Sequence, residues 1–354
     1  MPNPWLNHPM RQMPSDCVMP ASTSMAVNAQ ALLRWARRLL GLVALGAALQ
    51  SHAESADCPP AAEPVSMDVA KLGDAADRGF MWRIDKGGRT SYLYGTMHVA
   101  RRDWAVPGAT LVSAIRASDV LALEMDVLDP SIMKRLLAAM APRPQDALDD
   151  ALKARLVAQI KAACLPEQIL GVMSPEMAST TLVVMAARRQ GLDPAYAIDR
   201  SLSEVGHGLG RAVVSLETPE LQIAALRSRT HAQAKEAIEQ TLQSLETGEA
   251  TPLLLRMADV WAESRYSELD HYEDWCMCMS TESERALMKR LLDERNPAMA
   301  QRIDALHSSG KRVVAAVGSL HMIGPTGLPQ LLAKRGYKVE RVEFAPPGAV
   351  ARQQ

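Results

Sequence analysis

Two widely separated stretches of the chain share one order of elements, and this repeat limits the fold more than any other feature. The first, residues 91–126, reads SYLYGTMHVARRDWAVPGATLVSAIRASDVLALEMD, and the second, residues 311–344, reads KRVVAAVGSLHMIGPTGLPQLLAKRGYKVERVEF. Each is an apolar strand that leaves through Gly-x-x-His, passes a loop containing Pro and Gly, and returns through a short helix to another strand. A chain built this way is expected to form an α/β sheet from two related strand-GxxH-helix-strand half-units flanking a large helical insertion.

Local patterns fill in the rest. Residues 78–85 and 91–97 are expected to pair as a hairpin across a KGG turn. A short helix is expected over 106–117, introduced by Pro107 and Gly108, before a buried strand that ends on Glu124. From 130 to 190 the pattern is helical. Ser174-Pro175-Glu176 has the grammar of a helix start, with a capping hydroxyl followed by a proline whose missing N–H does no harm. Thr218-Pro219-Glu220 and Thr251-Pro252 repeat it. Residues 211–217, RAVVSLE, read as a strand ending on Glu217, and Thr281 with Glu284 has capping-box spacing for a helix running towards Asn296. Met299, Ile303 and Leu306 continue a helical stripe beyond Pro297.

Arg34, Arg37 and Arg38 precede an apolar run at 39–49 that closes on Ser51-His52-Ala53, the form of a secretory signal peptide. The run is short for a bilayer span. The expected organisation is an N-terminal extension and signal peptide at 1–53, cleaved near Ala53, a Pro-rich lead at 54–77, a single domain at 78–346 and a tail at 347–354. Met25 would give that signal an ordinary start. The mature product is expected in the periplasm or outside the cell, with no stable membrane span. Export leaves Cys58, Cys164, Cys276 and Cys278 in an oxidising compartment, where one or two disulfides are expected. Cys276 and Cys278 are read as too close in sequence to pair easily with each other, and a metal site at that CMC lacks further ligands nearby. Lys and Arg number 39 against 40 Asp and Glu, a balance that carries no signature of nucleic-acid binding.

Ligands of α/β sheets tend to sit beyond the carboxyl ends of strands. His98, Glu124, Glu217 and His321 all fall at such ends, and Gly95 and Gly318 let the backbone bend or approach a ligand there. Imidazole and carboxylate donors without cysteine suit Zn, Mn, Fe or Co in an open site, one carboxylate ligating and a second serving as general base for hydrolysis. Taken singly, each G-x-x-H is a common pattern and each histidine an ordinary hydrogen-bonded residue; the recurrence is what sets them apart. GHGLG at 206–210 precedes a strand and reads as a turn, not a dinucleotide loop. No H-E-x-x-H or G-x-S-x-G occurs. Arg101 and Arg102 lie beside His98 as carboxylate-binding candidates, whereas His207, His231, His271 and His307 have no partner spacing.

The stretches YLYGTMHV, ALEMD, AIDRSL, VVSLETPELQ, ERNPAMAQRI and VVAAVGSLHMIGPTGLPQLLAKRGYKV resemble the TraB/GumN family, over roughly residues 92–344. The resemblance implies a fold of the erythromycin-esterase/ChaN-like group and a site with His98, His321 and Glu124 on a divalent ion, Glu217 beside it, and Arg295 and Asn296 orienting ligands or substrate. The implied function is an exported metal-dependent hydrolase acting on a peptide or small secreted substrate. The alternative is a protein that binds and sequesters such a ligand in the same pocket without turnover.

Overall fold

The computed structural model describes residues 58–344. The expected leader at 1–53, its cleavage point near Ala53 and the tail at 347–354 lie outside the described residues.

The strands, in chain order, are β1 (Gly73–Ala75), β2 (Phe80–Lys86), β3 (Arg89–Thr96), β4 (Val120–Leu123), β5 (Ala212–Ser215), β6 (Val313–Gly318) and β7 (Lys338–Arg341). All but β1 join one sheet, in the order β5-β4-β6-β3-β2-β7. The expected hairpin is present: Phe80 pairs with Gly95 and Lys86 with Arg89. Gly87 and Gly88 close it with φ of 59° and 72°, left-handed values that the twist of a two-residue hairpin favours. β3, β6, β4 and β5 run parallel to one another, and β7 lies antiparallel to β2 at the far edge.

Helices cover the sheet. They are α1 (Ala109–Ala117), α2 (Pro130–Met140), α3 (Asp150–Ala162), α4 (Pro175–Met185), α5 (Ile198–Gly208), α6 (Pro219–Leu226), α7 (His231–Thr247), α8 (Ala250–Ala262), α9 (Tyr266–Asp270), α10 (Glu282–Met288), α11 (Asn296–Ser308) and α12 (Leu328–Lys334). The chain is therefore a mixed α/β fold. β4 and β6 are apolar without alternation, and every residue of β4 is buried, as befits inner parallel strands covered on both faces. The half-units interleave: β6 lies between β3 and β4, so the first strand of the second unit is clasped by both strands of the first. A second core forms away from the sheet, where Leu152, Leu156 and Ile160 of α3 meet Leu182, Ile238 and Leu242.

The expected helix starts are mostly realised. Ser174 accepts a hydrogen bond from the Met177 N–H, Thr218 from that of Leu221, and Thr281 and Glu284 form a reciprocal capping box. Thr251 does not cap. It lies inside α8, and its hydroxyl donates to the Ala186 carbonyl. The helix expected from Thr281 towards Asn296 runs through α10 and continues directly as a π-helical turn, Lys289–Asp293, ahead of α11. GHGLG is the closing end of α5 instead of a free turn. A side chain at Gly206 would come within 2.7 Å of Leu121 and 2.9 Å of Val213, so glycine lets the helix lie against the sheet. Both disulfides form: Cys58 to Cys164 and, against expectation, Cys276 to Cys278. Met277 makes the short bridge feasible by adopting a φ of 52°, which turns the chain back until the two cysteine Cα atoms are 5.1 Å apart.

Candidate functional site

Four neighbouring parallel strands end on one edge of the sheet, and their continuations carry the expected polar residues to it. His98 follows β3, Glu124 follows β4, Glu217 follows β5, and His321 sits on a 3-10 turn after β6. The two G-x-x-H exits are packed against each other. A side chain at Gly95 would lie 2.8 Å from Ser319 Oγ, and Ser319 donates that hydroxyl to the Thr96 carbonyl at 2.9 Å. Trp261 fixes the same exit by donating its indole N–H to the Gly95 carbonyl at 2.8 Å.

Glu124 is the hub. Its Oε1 accepts the Gly318 N–H at 2.7 Å, and its Oε2 accepts from Gln222 Nε2 and Arg295 Nη2, each at 2.7 Å. Arg295 also donates Nε to Glu217 Oε1 at 2.9 Å and Nη2 to Glu217 Oε2, so one guanidinium ties the two carboxylates together. Both oxygens of Glu217 are thereby taken, and this glutamate does not line the cavity described below.

Each histidine has one ring nitrogen assigned. Asn296 donates Nδ2 to the Thr326 carbonyl at 2.9 Å, which turns its Oδ1 towards His321 Nδ1 at 2.5 Å. The His321 proton therefore sits on Nδ1, leaving an unprotonated Nε2 that lies 3.9 Å from Glu124 Oε1. His98 Nδ1 lies 3.2 Å from Asp199 Oδ1, near the start of α5. The side chain of His321 is 5% exposed and that of His98 is 59% exposed, so one is enclosed and the other stands at the mouth.

Electrostatics follow the burial. Desolvation pushes His321 down to about 4, against the attraction of Glu124, and the ring is neutral near pH 7. Burial would also raise the Glu124 carboxyl, but His321, Arg295, His98 and the Gly318 N–H outweigh it and hold the group at about 2. With His321 neutral near pH 7, Arg295 and the protonated His98 are the standing countercharges. The carboxylate of Asp199 raises His98 to about 9 in spite of desolvation.

His98, Glu124, Arg295 and His321 open onto a cavity of about 320 Å³, with Gln222 on its wall. Asn296 stands behind His321. The hydroxyl of Thr96, buried beside the cavity, has no hydrogen-bond partner. Arg101 and Arg102 do not join the site: Arg101 donates to the Gln190 carbonyl and stacks over Trp104, and Arg102 donates to the Pro64 carbonyl. His207 pairs with Asp126, and His307 is buried between Ser91 and the Lys86 carbonyl. Asp199 and Gln222 were not singled out from sequence. The only signal was their place inside AIDRSL and VVSLETPELQ, where nothing separates them from ordinary polar helix residues.

The donor chemistry of the site suits a divalent ion in part. Both imidazoles have Nδ1 occupied by an oxygen acceptor, the arrangement that orients a metal-binding histidine and leaves Nε2 to ligate. Among the described residues, however, no group of three or more His, Cys, Asp or Glu side chains lies close enough together to hold an ion. A set of His98, His321 and Glu124 would use the Glu124 Oε1 that faces His321 Nε2, and it needs His98 to give up a proton.

A family profile described as TraB/PrgY/gumN matches residues 80–341. The uncharacterized protein YbaP of Escherichia coli (strain K12) is 26% identical over 254 residues, which is 70% of this chain and 89% of that protein, and its counterpart in Shigella flexneri matches to the same extent. The metalloprotease TIKI2 of Danio rerio is 22% identical over an alignment of 375 positions, covering 91% of this chain and 70% of that one. No solved structure matches.

Proposed function

The chain belongs to the TraB/PrgY/gumN family, and on that footing we propose that it is an exported metal-dependent hydrolase that cleaves a peptide or amide bond. The observation that carries the proposal is that both G-x-x-H histidines and Glu124 line one cavity at the sheet edge, each imidazole held through Nδ1 with Nε2 left over. Distant similarity to a metalloprotease supports the same reading.

His98 and His321 are the primary donors and Glu124 the third. A divalent ion bound there supplies Lewis acidity to a scissile carbonyl and lowers the pKa of water. Asn296 and Asp199 fix the two rings. Arg295, gripped by both oxygens of Glu217, neutralises Glu124 and lines the cavity, where it would orient a substrate carbonyl. Glu217 thus positions the arginine in this arrangement, and proton transfer would fall to the Glu124 oxygen that does not hold the ion.

The test uses mature protein stripped of metal, then supplied separately with Mn, Co, Zn or Fe(II), and a mixed peptide pool followed by mass spectrometry. Cleavage stimulated by an ion and reduced at least ~10²-fold in His98→Ala and His321→Ala is expected, the order of loss seen when groups around a metal site are removed. Absence of cleavage with every ion, or cleavage indifferent to both substitutions, overturns the proposal. That no three-donor cluster is ready among the described residues favours one competing reading, in which the pocket sequesters a ligand. Binding of the same peptides that survives chelator would support it.

A further inference from the structure

Large aliphatic side chains stand half-buried around the cavity at the sheet edge. Val183 and Val184 of α4 face Leu254 and Met257 of α8, and Leu291 and Leu292 of the π-helical turn complete the ring. Leu226, at the end of α6, adds to it. The polar end is formed by Glu124, Arg295 and His321, with His98 at the mouth. We infer that these aliphatic walls are a specificity pocket for a large aliphatic side chain, Leu, Ile, Met or Val, adjoining the bond that the site cleaves; the inference rests on the hydrolase reading and names its substrate class.

Three observations support this. Apolar surface left facing a concavity, instead of being packed, is covered favourably only by apolar groups. At about 320 Å³ the cavity stands at the small end of the roughly 300–1,000 Å³ typical of ligand sites, room for a side chain and its backbone but not for a folded partner. The charged or titratable residues on its lining are His98, Glu124, Arg295 and His321, with Arg295 already paired to Glu124 and Glu217; the aliphatic wall offers a substrate Asp or Lys no counterion, and burying such a charge unpaired is costly.

The same segment links the pocket to the polar end. Leu291 and Leu292 are separated from Arg295 by fewer than two helical turns, and Arg295 returns a hydrogen bond to the Leu291 carbonyl at 3.0 Å. A side chain pressing on the two leucines is therefore felt by the guanidinium that bridges Glu124 and Glu217. Interrupted, π-type helix is a recurrent feature of segments that serve a site.

The experiment exposes the full mature protein, with the ion that stimulates it, to a random decapeptide pool and reads cleaved bonds by mass spectrometry. Leu, Ile, Met and Val are expected to be enriched at least ~10-fold over Asp and Lys at one position flanking the cut, the discrimination a few methylenes provide. Met257→Trp, which fills the cavity, is expected to move that preference towards Ala and Gly, and Val184→Phe to do the same from the opposite wall; each is checked for folding by its thermal transition. Cleavage without aliphatic enrichment overturns the pocket while leaving the hydrolase standing. If no peptide is cleaved, the hydrolase reading falls and the pocket is judged by binding alone: tighter binding of a Leu-containing peptide than of its Asp counterpart, abolished by either substitution, sustains it, and equal binding overturns it.

Discussion

Gly318 donates its backbone N–H to Oε1 of Glu124 at 2.7 Å, so the glycine of the second G-x-x-H motif seats the carboxylate delivered by the first half-unit. The contact explains why a residue without a side chain stands there. A Cβ at Gly318 would meet Glu124 Oε1 at 3.1 Å and His321 Cδ2 at 3.6 Å, whereas one at Gly95 would meet Ser319 Oγ at 2.8 Å and the Ser319 Cα at 3.2 Å. The two alanine substitutions should therefore part company. Gly318→Ala presses on a carboxylate and is expected to lower activity ~10-fold or more with little change in unfolding temperature, since misplacing a reacting group by fractions of an ångström is felt in catalysis. Gly95→Ala presses on the Ser319 hydroxyl and on the Cα behind it, and is expected to cost about 1–3 kcal/mol of stability, as overpacking does. Activity assays alongside thermal unfolding of both variants distinguish them, and the reverse pattern would contradict the geometry.

The histidines give the metal-free protein a two-sided dependence on pH. His98 is raised from 6.5 to about 9, so its contribution to stability is complete below 6.5 and is lost as pH rises towards 9. His321 is lowered from 6.5 to about 4, so its contribution is complete above 6.5 and is lost as pH falls towards 4, because the unfolded chain binds that proton more readily. Stability from the pair is greatest near pH 6.5. Denaturant midpoints of chelated protein measured from pH 4 to 9 should show both limbs, with His98→Asn flattening the alkaline one and His321→Asn the acid one.

Arg295 holds two carboxylates whose side chains are only 8% and 6% exposed. Arg295→Met leaves both charges without their partner, and a loss of about 3–5 kcal/mol is expected, the usual result of breaking a buried ion pair from one side. Adding Glu217→Gln to that variant removes one of the stranded charges and should restore part of the loss. The double-mutant cycle from denaturant unfolding checks it. A cycle with no coupling would mean that the bridge carries no energy. Arg295→Lys should not rescue, because an ammonium lacks the planar fork that reaches both acids at once.

Local chemistry made much of this architecture legible in advance. The hairpin followed from two glycines between apolar runs, and the helix starts at Ser174, Thr218 and Thr281 from hydroxyls one residue ahead of their helices. The histidines and glutamates at strand ends were legible because parallel strands share an edge. What escaped was non-local. Nothing in either half-unit says that β6 inserts between β3 and β4, since strand order depends on pairings across most of the chain. Asp199 and Gln222 look like solvated helix residues until α5 and α6 are docked. Cys276 and Cys278 read as too close in sequence to pair easily, and the left-handed turn at Met277, which no local pattern announces, brings their Cα atoms to 5.1 Å.

The two disulfides should differ sharply in what they do for the fold. Cys58–Cys164 ties residues 106 apart in sequence and anchors the lead segment to the end of α3, and in the loop-closure picture a bond spanning about 100 residues restricts the unfolded chain by up to roughly 4.7 kcal/mol. Cys276–Cys278 ties residues 2 apart, so it removes little freedom from an unfolded chain whose cysteines are already neighbours. Cys58→Ser with Cys164→Ser is expected to lower unfolding free energy by about 2–4 kcal/mol, within the usual range for a native bond. Cys276→Ser with Cys278→Ser should cost far less globally and act on the segment before α10, where the bridge sets the course of the chain ahead of the turn bearing Leu291 and Leu292. Denaturant unfolding of the two variants, with hydrogen exchange across 271–295, separates the effects. Equal global losses would show that the short bridge stabilises the native state by a route other than chain entropy.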